Sequence, residues 1–351
     1  MKDTIVPVGR GVLALALAAA AASALAQEAS FFAGKKIQLV VGFDVGGGYD
    51  LYARTVARHL TDHIPGQPTF VPQNMPGAGS RVAGNWLYNL APKDGTAIGT
   101  IVQSAAIDQA LQEPGIRFDA AKFNWIGNPT VDNLVTISWS AAGLATLDDV
   151  KVKGGLFCGG TGGGPTMMYP QIVNRLLGTK IKVVAGYPGV SAINLAMERG
   201  EVNCVGGTTW SSIKSTMRQV LEERKIDVLV QWGTAKDPEI SAYAGRDVPL
   251  AQELGGNALD RRVLTFISSG AAMGRPLLAP PGVPPARVAV LRRAFDDTMT
   301  DRAFLADAAR SAMEIKPLTG EALQQIAADA AQFPPDALAR AKELISVDAT
   351  R

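Results

Sequence analysis

Past residue 26, short runs of aliphatic and β-branched residues alternate with stretches whose apolar positions recur every three or four residues. That alternation is how parallel sheets built from βαβ units read in sequence. In the first part of the chain it predicts strands near 37–42, 69–73, 97–102 and 125–128, and helices near 50–63, 80–90 and 104–112. A second group follows, with strands near 133–139, 155–158, 181–185, 203–206 and 227–231 and helices near 166–177, 189–199 and 210–224. Beyond it the pattern predicts a returning strand near 263–268, a turn-rich stretch from Arg275 to Pro285, and helices near 286–299, 301–311, 319–332 and 335–345. These C-terminal helices are expected to pack on the first lobe. The division is therefore lobe 1 over 27–129, lobe 2 over 130–262, and a return to lobe 1 over 263–351.

Two strand-to-helix junctions carry glycine runs. In the first, Gly46, Gly47 and Gly48 follow an apolar strand and precede a helix for which Asp50 reads as the N-cap. Residues without a Cβ let backbone N–H groups approach a ligand closely, and a helix N-terminus favours negative charge. The second junction runs through Gly159, Gly160, Thr161, Gly162, Gly163, Gly164 and Pro165 into a helix from Thr166 that stops at Gly178. Each is either a tight turn or an anion seat. Two seats on facing lobes would hold the two ends of a small anion in a cleft, a common location for ligands.

The first 26 residues carry Lys2 and Arg10, an apolar stretch from Gly11 to Ala22, and Ala24-Leu25-Ala26 before Gln27. This is the pattern of a cleaved signal peptide, and its apolar stretch is shorter than the roughly 20 residues of a spanning helix. Export to the periplasm is expected. The remaining residues exceed what one core usually supports, so two α/β lobes are expected. Of 34 basic and 32 acidic residues, 32 and 31 remain without the leader, and no basic run suggests nucleic acid.

The residues also carry a family resemblance. Val40 to Asp50, Gln73 to Ser80, Ala91 to Thr96, the 159–166 loop, and Gly186 to Gly189 followed by Met197 to Asn203 occur in an order and spacing similar to the periplasmic receptors of tripartite tricarboxylate transporters, the Bug family. The resemblance implies a type II periplasmic-binding-protein fold: two lobes, each a mostly parallel sheet flanked by helices, closing on a small carboxylate. It implies delivery to a large and a small membrane subunit, no catalysis, no cofactor, no metal and a monomer. By position, it implies first-lobe contacts from Phe43, Asp44, Val45, Gly46, Gly47, Gly48, Tyr49 and Asp50, from Gly77, Ala78, Gly79 and Ser80, and from Ser104. Second-lobe contacts would come from Gly160, Thr161, Gly162, Gly163, Gly164, Pro165 and Thr166, and from Tyr187, Thr208, Thr209 and Trp210.

Two departures stand out. Asp44 occupies a position that is proline or small in many such receptors; it either accepts from a ligand hydroxyl or amine or, the favoured reading, faces solvent. Arg81 either binds an anion or is a solvated charge in a first helical turn. Trp210 walls the ligand or fills the core between the lobes. Cys158 and Cys204, at the ends of two second-lobe strands, are either a disulfide or two buried thiols.

Enzyme signatures are missing from the sequence. His59 and His63 share a helix face, but Leu60 stands where a zinc protease needs glutamate, so both read as surface residues. Neither glycine run completes a nucleotide fingerprint, and no nucleophile elbow occurs. A receptor for a membrane sensor, and an exported hydrolase or lyase on the same fold, stay open as alternatives.

Overall fold

The computed structural model describes residues 31–346; the signal-peptide reading of residues 1–26 lies outside them. Two sheets organise the chain. The first has the order β11-β4-β10-β3-β1-β2, built from β1 (Lys36–Val41), β2 (Thr69–Asn74), β3 (Ala97–Thr100), β4 (Asn124–Asn128), β10 (Leu277–Ala279) and β11 (Leu318–Thr319). The second has the order β7-β6-β8-β5-β9, from β5 (Leu134–Trp139), β6 (Phe157–Gly160), β7 (Lys182–Ala185), β8 (Cys204–Thr209) and β9 (Ile226–Trp232). Pro72 sits in β2, where its missing N–H is tolerated because β2 is an edge strand.

In each sheet the strand that enters it runs against its neighbours, and in the first sheet β11 also runs antiparallel, to β4. β5, the first strand after the chain crosses from the first sheet, runs antiparallel to β8 and β9, while β6 is parallel to β7 and β8. β10, the first strand after the return, is antiparallel to β3 and β4, while β1 is parallel to β2 and β3. The two crossings lie side by side. Asn128 Oδ1 accepts from Thr130 N at 3.1 Å and from Arg275 N at 2.9 Å, and a Cβ on Gly274 would lie 2.0 Å from the Thr130 carbonyl oxygen.

The helices follow the apolar periodicity. The Gly48–His63 helix buries Ala53, Val56, Ala57 and Leu60, a stripe at helical spacing that packs with Leu39, Val41 and Phe295, while its Tyr52 packs with Ala308 and Met313. Three C-terminal helices complete that lobe: Pro285–Thr300 and Arg302–Arg310 pack on Gly48–His63, and Gly320–Ala330 packs on β4. His59 and His63 are half-buried toward this layer rather than on the surface, with Nε2 atoms 3.1 Å from Asp307 and 3.3 Å from Asp301.

Several predicted elements change. The expected strand at 263–268 is part of the helix Ala258–Ser269, capped by the Asn257 side chain. Its buried Val263, Leu264, Phe266 and Ile267 are a short apolar run that period alone does not assign. The last helix, Pro335–Ile345, packs mainly on the second-lobe helix Pro165–Leu177 and on Ala258–Ser269 and touches the first lobe through Lys342 Nζ, which donates to Gln112 at 2.6 Å; Arg340 Nε donates to Asp260 at 2.7 Å, and Phe266 stacks on Phe333. The predicted helix at 210–224 breaks at Met217 into Trp210–Thr216 and Arg218–Glu222. β10 sits inside the stretch read as turns.

Cys158 and Cys204 are register partners in parallel strands β6 and β8, with Cα atoms 4.2 Å apart, and are joined as a disulfide. Both are fully buried.

Candidate ligand-binding site

The cleft between the sheets encloses a cavity with about 60 Å³ in which the centre of a water molecule can move. Since one water needs roughly 10–15 Å³ on that measure, a small organic molecule of several heavy atoms fits. Of the residues the sequence pointed to, Phe43, Asp44, Gly47, Gly48, Tyr49, Thr161, Gly163, Pro165, Thr166, Thr208 and Thr209 line it.

The first-lobe loop is held open by Asp50. The helix N-cap is Gly47, three residues earlier than expected, so Asp50 lies in the first turn. Its carboxylate reaches back to Gly46 N at 3.0 Å and accepts from Arg54 Nε at 2.7 Å and Asn74 Nδ2 at 2.9 Å. Asp50 is thereby spent on shaping the loop, and Val45 and Gly46 face solvent. Phe43 and Tyr49 stack at 4.2 Å to form one wall. The Tyr49 hydroxyl accepts from Gln103 N at 3.1 Å, and burial pushes its pKa up to about 12.

The second-lobe loop is closed on itself. Thr161 N donates to Thr166 Oγ1 at 3.1 Å, the two threonine hydroxyls lie 3.0 Å apart, and both bond the Gly163 carbonyl. Gly79 N of the first lobe donates to the Thr161 carbonyl at 2.9 Å, and a Cβ on Gly79 would meet the Gly163 backbone at 2.7 Å. Gly77, Ala78, Gly79 and Ser80 thus form a clasp on this loop outside the cavity lining. Ser80 Oγ accepts from Val102 N at 2.8 Å. Gly160, Gly162 and Gly164 shape the loop, the last two with φ of 79° and 65°. Ser104 is buried under it near Gly164.

Three singled-out residues sit elsewhere than the cavity wall. Trp210 is buried among Ile193, Val205, Ile213 and Val228, with its ring 5.3 Å from Tyr243, so it fills the second-lobe core. Tyr187 packs on the rim of the same cluster. Arg81 is a buried ion-pair residue, not a solvated charge: Nη2 bonds Glu113 at 2.9 Å and lies 3.9 Å from Asp108. Asp108 is fully buried with both oxygens unpaired, and burial pushes its pKa up to about 7 against the pull of Arg81.

Asp44 does not face solvent. It crosses the cleft to the N-terminus of the second-lobe helix Val190–Glu198, accepting from Ala192 N at 3.3 Å with the Ser191 hydroxyl beside it. Burial raises its pKa, and those donors oppose the rise.

Sequence reasoning missed the charge behind the cavity wall. Arg275, 2% exposed, enters from the crossing beside Asn128. Its guanidinium lies 4.2 Å from the centre of the Tyr52 ring, and Nη2 donates to Thr209 Oγ1 and, at 2.6 Å, to Ser212 Oγ. Ser212 and Gln103 also line the cavity unforeseen. The one available signal was an arginine directly ahead of a proline-rich return segment, with nothing in its neighbourhood to mark it as buried.

Among the described residues, no group of three or more His, Cys, Asp or Glu side chains is placed to hold a metal, and no helix is long and apolar enough to cross a membrane. Two sheets joined by paired crossings, with a lined cavity between them, make up the two-lobed periplasmic-receptor fold. No family model matches the chain. It is 24% identical over 344 residues, 93% of its own length and 94% of the relative's, to a Cupriavidus necator protein described as "UPF0065 protein in gbd 5'region". In structure it is similar to the periplasmic binding protein BugD, at TM-score 0.67 and 18% identity over 88% of this chain and 97% of that one. It is also similar to MatC from Rhodopseudomonas palustris with bound malate, at TM-score 0.66 and 18% identity over 89% and 99%. The expected two-lobed fold, and the resemblance to the Bug-type receptors along nearly the whole chain, are borne out.

Proposed function

We propose that the chain is an exported receptor that captures a small carboxylate between its lobes and hands it to the large and small membrane subunits of a tripartite tricarboxylate-type transporter. The observation that supports it is the pairing of the open first-lobe helix N-terminus with the buried Arg275 behind the Thr209 and Ser212 hydroxyls, which makes one end of the cavity a seat for negative charge. The malate bound by the structurally similar MatC and the BugD likeness point the same way.

Calorimetric titration of the purified chain, beginning at Gln27, against mono-, di- and tricarboxylates tests the binding step. Saturable binding by at least one carboxylate, with the compound recovered unchanged, is the expected result. Uptake of that compound by vesicles bearing the two membrane subunits, only when the receptor is added, tests delivery; receptor-independent uptake would refute it.

A further inference from the structure

The cavity is polarised, and its two poles can be assigned by counting hydrogen-bond capacity. Ser212 Oγ has two acceptor sites. One takes the Thr209 hydroxyl at 2.9 Å and the other takes Arg275 Nη2 at 2.6 Å. Thr209 Oγ1 is likewise filled, accepting from Ser212 N at 3.3 Å and from Arg275 Nη2. The Ser212 O–H is therefore left as a donor at the cavity wall, with a guanidinium behind it. Nearby, Gln103 is 1% exposed and lines the same cavity; its Oε1 and the Gly274 carbonyl both lie 3.3 Å from the Tyr49 hydroxyl, and its Nε2 is buried without a partner. This pole presents two unspent donors, the Ser212 O–H and the Gln103 amide N–H.

The opposite pole offers acceptors. Asp44 Oδ2 accepts from Ala192 N, while Oδ1 is buried without a well-formed hydrogen bond, the Ser191 hydroxyl lying beside the carboxylate. Asn194 Oδ1, from the same second-lobe helix, is also buried and unpaired, and both residues line the cavity. Adjacent glycines separate the poles. A Cβ on Gly47 would lie 3.2 Å from Asp44 Oδ1, and one on Gly48 would lie 1.9 Å from Ser212 Oγ. One Cα–Cα step of about 3.8 Å connects those glycines, so both poles fall within reach of one small molecule.

We propose that the ligand is a small carboxylate bearing its own hydrogen-bond donor, an amine or a hydroxyl, a few bonds from the carboxyl group. Its carboxylate meets Ser212 and Gln103 in front of Arg275, and its donor meets Asp44. A plain carboxylate of the same size satisfies the first pole and leaves the Asp44 carboxylate facing an apolar group, which a buried charge penalises. This inference rests on the receptor reading above and adds to it that Asp44 determines specificity.

Calorimetry with two matched sets decides it: L-alanine, L-lactate and propionate, then L-aspartate, L-malate and succinate. In the unaltered chain the amine- or hydroxyl-bearing member of a set binds at least tenfold more tightly than its plain counterpart. Whether the amine or the hydroxyl leads identifies the donor. Asp44→Asn, nearly isosteric and still able to accept from Ala192 N, reduces that preference to under threefold. Ser212→Ala weakens all members of the set by a similar factor and keeps the preference, a split that a purely structural role for Asp44 does not produce. Circular dichroism confirms that both variants fold. Equal affinity within both sets, or a preference unchanged in Asp44→Asn, overturns this inference while leaving a carboxylate receptor; failure of every carboxylate in the wider panel to bind overturns both readings.

Discussion

The two glycine loops look alike in sequence and differ in what their backbones are free to do. Around Gly47 and Gly48 the loop is propped from outside by Asp50, Arg54 and Asn74, so the first turn of the helix opens on the cavity. Around Gly163 the loop bonds to itself through Thr161 and Thr166 and to the other lobe through Gly79 N. One loop is a seat and the other a clasp. Glycine content reports that the backbone must come close to something; it does not say whether that partner is a ligand or another strand of the same chain.

The clasp gives the largest expected effect. A Cβ on Gly79 would approach three backbone atoms of Gly163 to between 2.7 and 2.9 Å, and Gly79 has φ of 63°. Backbone on both sides leaves no side chain to move aside. Gly79→Ala should lower ligand affinity at least a hundredfold, about 2.7 kcal/mol, by opposing closure. Small-angle scattering at saturating ligand should then give a larger radius of gyration than the unaltered chain. Unchanged affinity and radius would show that the lobes need no contact at this point.

The seat comes second. A Cβ on Gly48 meets Ser212 Oγ at 1.9 Å and Ser212 Cβ at 3.0 Å, and Ser212 is held by Thr209 and Arg275. Overpacking of this kind costs about 1–3 kcal/mol, so Gly48→Ala should weaken binding roughly five- to a hundredfold in calorimetry. Gly46→Ala is the control: a Cβ there meets nothing within 4 Å, although φ of 82° adds backbone strain. Losses of similar size in both variants would assign the effect to loop strain rather than to the seat.

The fold was legible because periodicity and glycine punctuation act locally. β1 to β9 and the helix after each glycine loop fall where apolar spacing puts them. The errors lie where tertiary contact decides. Ala258–Ser269 reads as a strand because its apolar residues are contiguous near Val263, yet it is a helix buried under Pro335–Ile345. The site was half legible. Gly47, Gly48, Tyr49, Thr161 and Thr209 follow from the junctions, but Arg275 backs the cavity wall at Thr209 and Ser212 from a crossing more than sixty residues beyond them. Asp44 was noticed as out of place, but that it spans the cleft shows only in tertiary contacts, the bond from Ala192 N and the closeness of Gly189, where a Cβ would fall 1.9 Å from Asp44 Oδ1.

The clasp also contains a titrating group. Asp108 lies 3.9 Å from Arg81, and the Arg81 guanidinium sits about where a Cβ on Gly163 would point, 3.0 Å from Cζ. The folded protein holds the Asp108 proton up to about pH 7, against 3.8 for an ordinary aspartate. A raised folded-state pKa means that its contribution to stability is complete below about pH 4 and is lost as pH rises through 7. Asp108→Asn cannot ionise. Its melting temperature should therefore vary less between pH 5 and pH 8 than that of the unaltered chain, which should lose a few degrees more over that interval. Parallel pH profiles of the two proteins would show that Asp108 stays charged in the fold.

The smallest expected effect on binding tests whether the second loop is only a clasp. Thr166 is 4% exposed, and its hydroxyl accepts from Thr161 N at 3.1 Å and bonds the Gly163 carbonyl at 3.3 Å. Thr166→Val keeps the shape and removes the hydroxyl, leaving the Thr161 N–H without its partner. An unpaired buried donor costs about 1–3 kcal/mol, so thermal unfolding should move down by a few degrees. If the loop serves closure through backbone contacts at Gly79, the hydroxyl contributes nothing to ligand recognition, and affinity should change less than threefold. The alternative gives the opposite balance: were Thr166 a ligand donor, removing it would cost about 0.5–1.5 kcal/mol of binding, up to roughly tenfold. Calorimetry beside a melting curve separates the two, because a loss of affinity with little loss of stability would make the second loop a seat like the first.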